Sequence, residues 1–564
     1  MYVCENETTL GDTFLSESAP SFPQECWDLV RKRNGQKQTR VAVVGGGFAG
    51  LMAAHWLGLS GFDVTIFEAR NQVGGRVLSN STFSRGRITE EGAELIGSFH
   101  TTWLKLAREY GLAMISRMGS ELYEQAQLSV RLRLGRDISM KEFVQLEKAM
   151  RKRVLEPLAR DASQIVDPSR PWLQPTLRPE DLRSVADALK NRYNVSPNEL
   201  LWKMLEFKLV NDEVAPLERM NFLGLLCKVR AGQGTRFLFE DDQDKTRPLM
   251  RYWDELEIFR CADGCQALAR EIAGELQSKD FQKKYAAKTK LHLSVAVTSI
   301  DLSQSKAQGV ILGFKRVADQ RQGKLADGPP IFSRYGYVIL AVPPSVWKGI
   351  PVIPSAWDPK KEIGVLGMDD AVKFFSDVKK RFWINRGFAP YGGSSEIGQV
   401  WEGTDNQTQI VLGKIPNPKG GVLEVKQGIV LSAFAGPIKP GGHVPEPRDF
   451  IKELTRLYPE YRENLRKTHF SNWPLEPFIK TGYASPRLGE IFTIVKQLND
   501  PFHNLLFFAG EHTRMDFFGY MEGALRSGER AAQQLMQHSC GFSKKSTPAL
   551  ERRVAAAGVG LGTL

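Results

Sequence analysis

The chain has 564 residues, 42% of them hydrophobic, which is enough apolar material for a large core and predicts two or more domains. Its six cysteines are too few for a disulfide framework, and Cys261 and Cys265 have no histidine or cysteine cluster nearby, so we expect no metal site. The net charge of +12, without a motif that reads bases, predicts no nucleic-acid partner.

The first 25 residues are polar and acidic and lack the basic and apolar regions of a signal peptide. No window approaches the roughly 20 apolar residues that cross a bilayer. We therefore expect a soluble, cytoplasmic protein without membrane contact. Because Pro20 and Pro23 interrupt any helix, residues 1–35 are predicted to form an irregular arm, and residues 539–564 a C-terminal tail.

A strand, a glycine turn and a helix follow in the first long apolar segment. Arg40–Val44 has the composition of a buried strand, and the glycines after it have the G-x-G-x-x-G spacing. The turn comprises Gly45, Gly47, Phe48, Ala49 and Gly50. Such a turn lets the backbone approach a pyrophosphate, and the helix N-terminus offers it unpaired N–H groups. A second strand, Asp63–Phe67, ends at Glu68, whose carboxylate can accept both hydroxyls of a ribose, so the unit predicts a dinucleotide site.

The residues after Glu68 resemble a known cofactor signature. They include Ala69, Arg70, Gly74, Gly75 and Arg76, in the pattern E-A-x-x-x-x-G-G-R. This pattern is similar to that of the FAD-dependent amine oxidase superfamily, which includes monoamine, polyamine and L-amino acid oxidases. The resemblance implies that FAD is the cofactor and that Ala69, Arg70, Gly75 and Arg76 help to bind it. An arginine fork can meet the pyrophosphate charge.

Further matches to the superfamily extend from about residue 40 to residue 533 and leave 110–255 uncovered. Glu91 departs from the pattern, because the family has a glycine there. The resemblance assigns FAD contacts to Ala93, Glu94 and Leu95 in a turn, to Val297 beside the adenine, and to Trp473, Gly510, Glu511, Tyr520 and Met521 near the C-terminus.

The uncovered middle of the chain has helical patterns. Ser139–Arg160, Pro179–Tyr193 and Pro197–Leu209 each start near a Ser or Pro, which suits a helix start. Leu291–Ile300 and Tyr335–Val342 are predicted strands. With the resemblance, these patterns predict an α/β fold: an FAD-binding, doubly wound (Rossmann-like) domain and a mixed α+β substrate domain with a helical insertion. The predicted FAD-binding domain comprises residues 36–100, 256–345 and 478–538, and the substrate domain residues 101–255 and 346–477.

The residues that carry the chemistry are also implied by the resemblance. Lys373 matches the family's catalytic lysine, which holds a water at flavin N5. Tyr483 and Tyr520, with Phe518 nearby, match the aromatic walls that bind the substrate nitrogen, and aromatic faces favour a cationic nitrogen. The implied reaction transfers a hydride from the substrate carbon to flavin N5, and oxygen then yields hydrogen peroxide. Gly482 stands where monoamine oxidases carry the flavin-linked cysteine, which implies non-covalent FAD.

The substrate class stays open. Many L-amino acid oxidases bind the substrate carboxylate with an arginine in the turn that is Gly92–Leu95 here, and its absence favours a simple amine. The non-covalent flavin, the soluble form and the helical insertion favour an L-amino acid, whose carboxylate Arg230, Arg236 or Arg251 could bind. Our working hypothesis is oxidative deamination of L-amino acids to 2-oxo acids, ammonia and hydrogen peroxide. The alternatives are a monoamine or polyamine oxidase and an amino-acid 2-monooxygenase.

Two other classes share the glycine motifs. One is a flavin-dependent desaturase or porphyrinogen oxidase, and the other is a non-catalytic FAD scaffold. Lys373 and the pair Tyr483 and Tyr520 disfavour the first class. The second, which includes chromatin-type interaction proteins, is disfavoured because the sequence has no long antiparallel helical arm and no histone-reading motif. The expected partners are the substrate and oxygen, and the resemblance is compatible with a homodimer.

Overall fold

The computed structural model describes residues 24–36, 38–116, 127–234, 237, 248–303, 309–405, 407, 415–416, 422–423, 428–438 and 442–539. Within these ranges no helix has the length and apolar character needed to span a membrane. In the same part of the chain, no group of three or more His, Cys, Asp or Glu side chains is arranged to hold a metal ion. Arg236 and residues 1–23 and 540–564 lie outside the described residues.

The α-helices are, in chain order, α1 (Gln24–Gln36), α2 (Phe48–Leu59), α3 (Thr101–Glu109), α4 (Met140–Met150), α5 (Glu156–Ala162), α6 (Arg178–Asp181), α7 (Val185–Asn191), α8 (Leu200–Glu213), α9 (Phe222–Gly232), α10 (Arg251–Glu255), α11 (Gln266–Gln277), α12 (Lys279–Lys284), α13 (Pro359–Glu362), α14 (Pro447–Leu457), α15 (Tyr461–Asn464), α16 (Lys496–Leu498) and α17 (Met521–Ser539).

The strands are β1 (Arg40–Val44), β2 (Asp63–Phe67), β3 (Ser79–Asn80), β4 (Thr89–Glu90), β5 (Met114–Ser116), β6 (Ser129–Arg133), β7 (Asp137–Ile138), β8 (Phe259–Cys261), β9 (Lys288–His292), β10 (Val295–Asp301), β11 (Val310–Asp319), β12 (Lys324–Leu325), β13 (Ile331–Tyr335), β14 (Tyr337–Leu340), β15 (Val352–Ile353), β16 (Met368–Asp369), β17 (Val372–Val378), β18 (Phe388–Ser394), β19 (Gly398–Glu402), β20 (Ile415–Pro416), β21 (Val422–Leu423), β22 (Ile429–Ala435), β23 (Leu465–Asn472), β24 (Tyr483–Ala484) and β25 (Leu506–Phe508).

A five-stranded parallel sheet, in the order β25-β14-β1-β2-β9, draws its strands from three distant parts of the chain. Side chains alternate between its faces along β1. Val41 and Val43 pack in the cluster that includes α2, α11 and α17, whereas Ala42 and Val44 pack against β10 and β11. The predicted α/β fold is confirmed, with the difference that a mixed sheet, in the order β12-β11-β10-β15, covers the second face of the parallel sheet.

A seven-stranded sheet, in the order β23-β17-β22-β19-β18-β6-β7, forms a second layer. β17 lies between two antiparallel neighbours, and all of its side chains are buried. Lys373 therefore lies on an interior strand of this sheet. A surface position for its ammonium group is excluded.

The structure corrects two of the local predictions. Residues 24–36 form α1 rather than an irregular arm, because Trp27 stacks on Trp56 with a centroid distance of 5.5 Å. The predicted strand Leu291–Ile300 is two strands in different sheets, β9 and β10, because Ser294 between them adopts a φ of 57° and turns the chain.

The predicted helices hold with interruptions. Ser139 caps α4 in a reciprocal capping box with Glu142, and a π-helical turn, Arg151–Leu155, joins α4 to α5. The predicted helix Pro179–Tyr193 is broken into α6 and α7, and α8 extends four residues beyond Leu209.

Candidate active site

A cavity of about 460 Å³ runs along the carboxyl ends of β1 and β2 toward β17. Most of the residues that the sequence assigned to cofactor or substrate line it. These residues are Gly45, Gly47, Phe48, Ala49, Glu68, Ala69, Arg70, Gly75, Arg76, Ala93, Glu94, Leu95, Val297, Lys373, Trp473, Tyr483, Gly510, Glu511, Tyr520 and Met521. The fold thus brings motifs separated by several hundred residues to one surface.

Glu68 anchors the nucleotide end of this cavity. It is 6% exposed, and its two oxygens accept hydrogen bonds from the backbone N–H groups of Gly46, at 2.6 Å, and Arg70, at 2.7 Å. Burial raises the pKa of Glu68, against the lowering effect of these two donors. The carboxylate is therefore fixed at the end of β2 before any ligand binds.

The glycine turn is shaped by close backbone contacts. Gly45 has a φ of 110°, and a Cβ there would lie 2.9 Å from the Ala341 carbonyl oxygen. Helix α2 begins directly after Gly47, its N-cap residue. Because glycine has no side chain to accept a hydrogen bond, the first N–H groups of α2 have no capping acceptor at this end of the cavity. Both features suit a bound phosphate group.

Two assigned residues are not in the cavity wall. A Cβ on Gly50 would lie 1.9 Å from the Gly45 carbonyl oxygen, so Gly50 serves the packing of α2 against the turn. Phe518 packs with its ring centroid 3.8 Å from the Lys228 ammonium, behind the wall. The prediction that Phe518 contacts substrate is not supported by this position.

Arg76 and Glu511 join the two segments that carry the aromatic walls. Their closest atoms, Nη1 and Oε1, are 2.7 Å apart, and Arg76 also donates to the Gly482 carbonyl at 3.0 Å. Glu511 accepts from the N–H of Gly519 at 2.6 Å and of Ala484 at 3.3 Å. Gly482 and Ala484 flank Tyr483, and Gly519 precedes Tyr520. The ion pair therefore holds the backbone at both walls.

The aromatic rings are themselves restrained. The Tyr520 hydroxyl lies 3.1 Å from that of Tyr252, and the Tyr483 hydroxyl donates to the Asp212 carbonyl at 3.2 Å. Burial raises the pKa of Tyr483 and of Tyr520 well above the ordinary value of a tyrosine, and nearby carboxylates raise each pKa further. Both phenols are thus neutral hydrogen-bonding groups.

Lys373 is buried and paired. Its ammonium donates to Glu94 at 2.7 Å and to the Gly92 carbonyl at 3.2 Å. The sequence assigned Glu94 to the cofactor turn, but gave no reason to expect its side chain on Lys373. This contact joins two separately predicted motifs.

Several cavity residues have no motif in the sequence. They come from α8, α9, the segment before β8, and the seven-stranded sheet, and are Asn211, Asp212, Lys228, Glu257, Gln399, Trp401 and Phe434. The only signal in the sequence was the acidic pair Asp212-Glu213 at the end of a helix, and such pairs are common on exposed helix ends. Their convergence depends on the fold.

The charges in this group are mostly paired. Lys228 is fully buried and donates to Glu213 at 2.7 Å, and Lys208 lies 3.4 Å from Asp212. Burial raises the pKa of Glu213, and the Lys228 ammonium opposes that rise. Glu257 also lines the cavity, and together with Asp212 it raises the pKa of Lys208, against the lowering effect of burial.

The arginines suggested for a substrate carboxylate do not line the cavity where the structure describes them. Arg230 donates to the Ile165 carbonyl at 2.8 Å, and Arg251 donates to the Gly234 carbonyl at 2.6 Å. Arg236 lies outside the described residues. This part of the prediction is corrected for Arg230 and Arg251, whose guanidinium groups bind loop carbonyls instead.

Comparison with known proteins places the chain in a family. The family model described as flavin containing amine oxidoreductase matches residues 48–536. The chain belongs to this family. The predicted membership of the flavin amine oxidase superfamily is therefore confirmed, and a flavin is the cofactor of this oxidoreductase.

Relatives of this amine oxidoreductase include both amine and amino-acid enzymes. It is 24% identical to a flavin-containing amine oxidase of Danio rerio, covering 88% of this chain and 85% of that one. It is 23% identical to an L-amino-acid oxidase of Gloydius blomhoffii, covering 90% and 92%. The two identities do not separate the substrate classes.

Solved structures show the same fold. A putrescine oxidase double mutant has a TM-score of 0.65 at 20% identity, covering 88% of this chain and 99% of its own. The cyclohexylamine oxidase from Brevibacterium oxydans IH-35A has a TM-score of 0.62 at 18% identity, covering 89% and 99%.

The cavity of this oxidoreductase fits a flavin nucleotide. Glu68 and the uncapped start of α2 stand at one end, and Lys373 and the tyrosines at the other. Along the wall beside Val297, the Thr298 hydroxyl is buried without a hydrogen-bond partner in the protein, as expected of a group that meets a ligand.

Proposed function

We propose that this flavoenzyme is an FAD-dependent oxidase of amines, which binds the substrate nitrogen between Tyr483 and Tyr520. The observation that carries the proposal is the set of acidic side chains beside these rings: Asp212 and Glu257 line the cavity, and Glu213 lies against Lys228. Burial raises the pKa of Tyr483, and the carboxylates of Glu213, Asp212, Glu257 and Glu511 raise it further. A negative environment at aromatic faces attracts an ammonium ion and repels a carboxylate.

FAD, rather than a flavin without an adenosine, is supported by one cavity whose lining includes both Glu68 and Lys373. Glu68 would accept the ribose hydroxyls, and the turn at Gly45 and Gly47 would receive the pyrophosphate. Non-covalent binding is supported at Gly482, where a Cβ would lie 2.6 Å from Ala371 Cβ and 2.7 Å from its backbone nitrogen. A cysteine would have no room there.

When bound, FAD supplies the acceptor for a hydride from the carbon next to the substrate nitrogen, and oxygen then takes the electrons as hydrogen peroxide. The two tyrosine rings orient the nitrogen and exclude water from the reacting carbon. The carboxylates draw the cationic amine into the cavity, and Lys373 places a positive charge at the opposite wall.

L-amino acids are the second candidate, because Lys228 offers an ammonium group at the cavity wall. Its Nζ lies 4.8 Å from the centroid of Tyr520. Glu213 holds this ammonium at 2.7 Å, so a substrate carboxylate would have to compete with a buried ion pair. This competition ranks amino acids below amines.

The test is peroxide release from the yellow holoenzyme with matched pairs: phenethylamine against L-phenylalanine, and cadaverine against L-lysine. Each pair differs by one carboxylate. We expect kcat/KM for the amine to exceed that for the amino acid by at least about tenfold, a difference of about 1.4 kcal/mol.

D-phenylalanine is the stereochemical control. The amine proposal would be overturned in favour of amino-acid oxidation if the enzyme oxidised L-phenylalanine but neither phenethylamine nor D-phenylalanine, and if the K228M variant lost this activity. Absence of peroxide with every compound, in protein that has bound flavin, would overturn both.

A further inference from the structure

Glu94 lies at the centre of a buried charge cluster behind Lys373. Its side chain is 5% exposed, as is that of Lys373, and Glu94 Oε2 lies 2.7 Å from Lys373 Nζ. Glu94 follows β4, whereas Lys373 lies on β17 of the seven-stranded sheet. The contact therefore links the cofactor turn to the wall that carries the lysine.

The other oxygen of Glu94 is also held. Oε1 accepts from Arg260 Nε at 2.8 Å and from Trp401 Nε1 at 3.1 Å. Arg260 is in turn paired with Asp405. Burial would raise the pKa of Glu94, but Lys373 and Arg260 outweigh it and lower the pKa to about 2. The carboxylate is a fixed anion with three donors on three strands.

Lys373 depends on this anion. A buried ammonium without a counter-charge is costly, and such a group gives up its proton more readily. The charged and titratable groups around Lys373 are Glu94, Glu90, Arg260 and Asp405. Of these groups in the described part of the chain, Glu94 is the one that accepts a hydrogen bond from the ammonium, and the Gly92 carbonyl accepts a second.

We propose that Glu94 is the positioning residue of Lys373, holding its ammonium charged and fixed at the cavity wall for the negative charge that develops on oxygen. The inference rests on the proposed oxidase function. Oxygen takes up two electrons and two protons to become hydrogen peroxide; the electrons and one proton come from the reduced cofactor, and the other proton comes from solvent. A fixed cation favours the charge that forms on oxygen before protonation.

The test separates the oxygen reaction from amine oxidation. Holoenzyme is reduced photochemically without oxygen and then mixed with aerated buffer, and flavin absorbance follows reoxidation. We expect E94Q to be slower than the wild type by at least about tenfold. E90Q is the matched control, because Glu90 is equally buried but bonds to Cys265 and Ser79 rather than to Lys373.

A second measurement distinguishes positioning from a general loss of structure. In the K373M background, adding E94Q should change the rate by less than about twofold, because the group that Glu94 positions is gone. The double variant also leaves no unpaired lysine. A readout apart from turnover is the absorption spectrum of oxidised holoenzyme, which E94Q should shift relative to the wild type, whereas E94Q in the K373M background should leave it unchanged.

Reoxidation of E94Q within about threefold of the wild type would overturn the proposal, as would an equal loss in E90Q. Equal effects of E94Q with and without Lys373 would also overturn it. If the proposed function is wrong, the result is different. No amine would then reduce the flavin in the absence of oxygen, but the reoxidation rate of photochemically reduced E94Q could still be compared with that of the wild type.

Discussion

Replacing Arg76 with alanine should destabilise the protein in a way that depends on pH. The substitution leaves Glu511, 6% exposed, without the guanidinium that lies 2.7 Å from it. Removing one partner of a buried ion pair costs about 3–5 kcal/mol. Arg76 is 22% exposed and Glu511 keeps two backbone donors, so we expect a loss below that range, about 2–3 kcal/mol.

The direction of the pH effect follows from Glu511. Burial raises its pKa, but Arg76 outweighs that and holds the pKa below the ordinary 4.5. A carboxyl group whose pKa is lower in the folded than in the unfolded state stabilises the fold above pH 4.5. This stabilisation is lost as the pH falls through the pKa of Glu511 in the folded protein. In R76A burial dominates and the pKa rises. The deficit of R76A should therefore be full at pH 8 and shrink toward pH 4.5.

The assay is urea unfolding of the flavin-free protein between pH 4.5 and 8, with R76K and the double variant R76A/E511Q as controls. R76K keeps the charge and should lose less. The double variant removes both charges and should be more stable than R76A at pH 8. A deficit that is the same at pH 4.5 and pH 8, or smaller than about 1 kcal/mol at pH 8, would refute this reasoning.

Three further outcomes are expected. Burial raises the pKa of Glu90 to about 7, so the stability of the wild type falls as the pH rises toward and through 7. The stability of E90Q relative to the wild type should therefore increase by up to about 3 kcal/mol between pH 5 and pH 9. A difference in unfolding midpoint that stays constant over this range would contradict the prediction. G482C should lose about 1–3 kcal/mol of unfolding free energy through overpacking. The wild type should release its flavin on acid precipitation, whereas flavin retained in its pellet would contradict non-covalent binding. Y520F removes only the hydrogen bond to Tyr252 and should cost about 1 kcal/mol of unfolding free energy. Y520A removes the ring and should lower kcat/KM by about 10- to 100-fold. Equal kcat/KM values for Y520F and Y520A would argue against the Tyr520 ring as a wall of the substrate site.

The paired charges at the substrate end explain why specificity is hard to infer from motifs. Asp212 and Glu213 end α8, and Lys228 lies on α9, in the segment to which no cofactor or substrate motif was assigned from the sequence. These charged groups lie beside Tyr483 and Tyr520. A relative with the same motifs and a different pairing could favour a different substrate.

The nucleotide-binding unit could be predicted from the sequence because it depends only on residues close together in the chain. The strand, glycine turn, helix and Glu68 lie within 29 residues of one another, so spacing alone places them in three dimensions. The same applies to the turn around Gly510 and the helix that begins after it. These predictions needed only strand and helix periodicity and the conformational freedom of glycine.

Only the tertiary structure decided which side chains meet at the far end of the cavity. Glu94 and Lys373 are separated by 279 residues, and Lys228 meets Glu213 between two helices. α1 likewise packs through Trp27 on Trp56 of α2, and its Asn34 donates to the Ser60 carbonyl. Side chains on different elements converge through packing, and packing is not encoded in the spacing of any one segment. The cofactor class was therefore readable from the sequence, whereas the charge environment of the substrate was set by the fold.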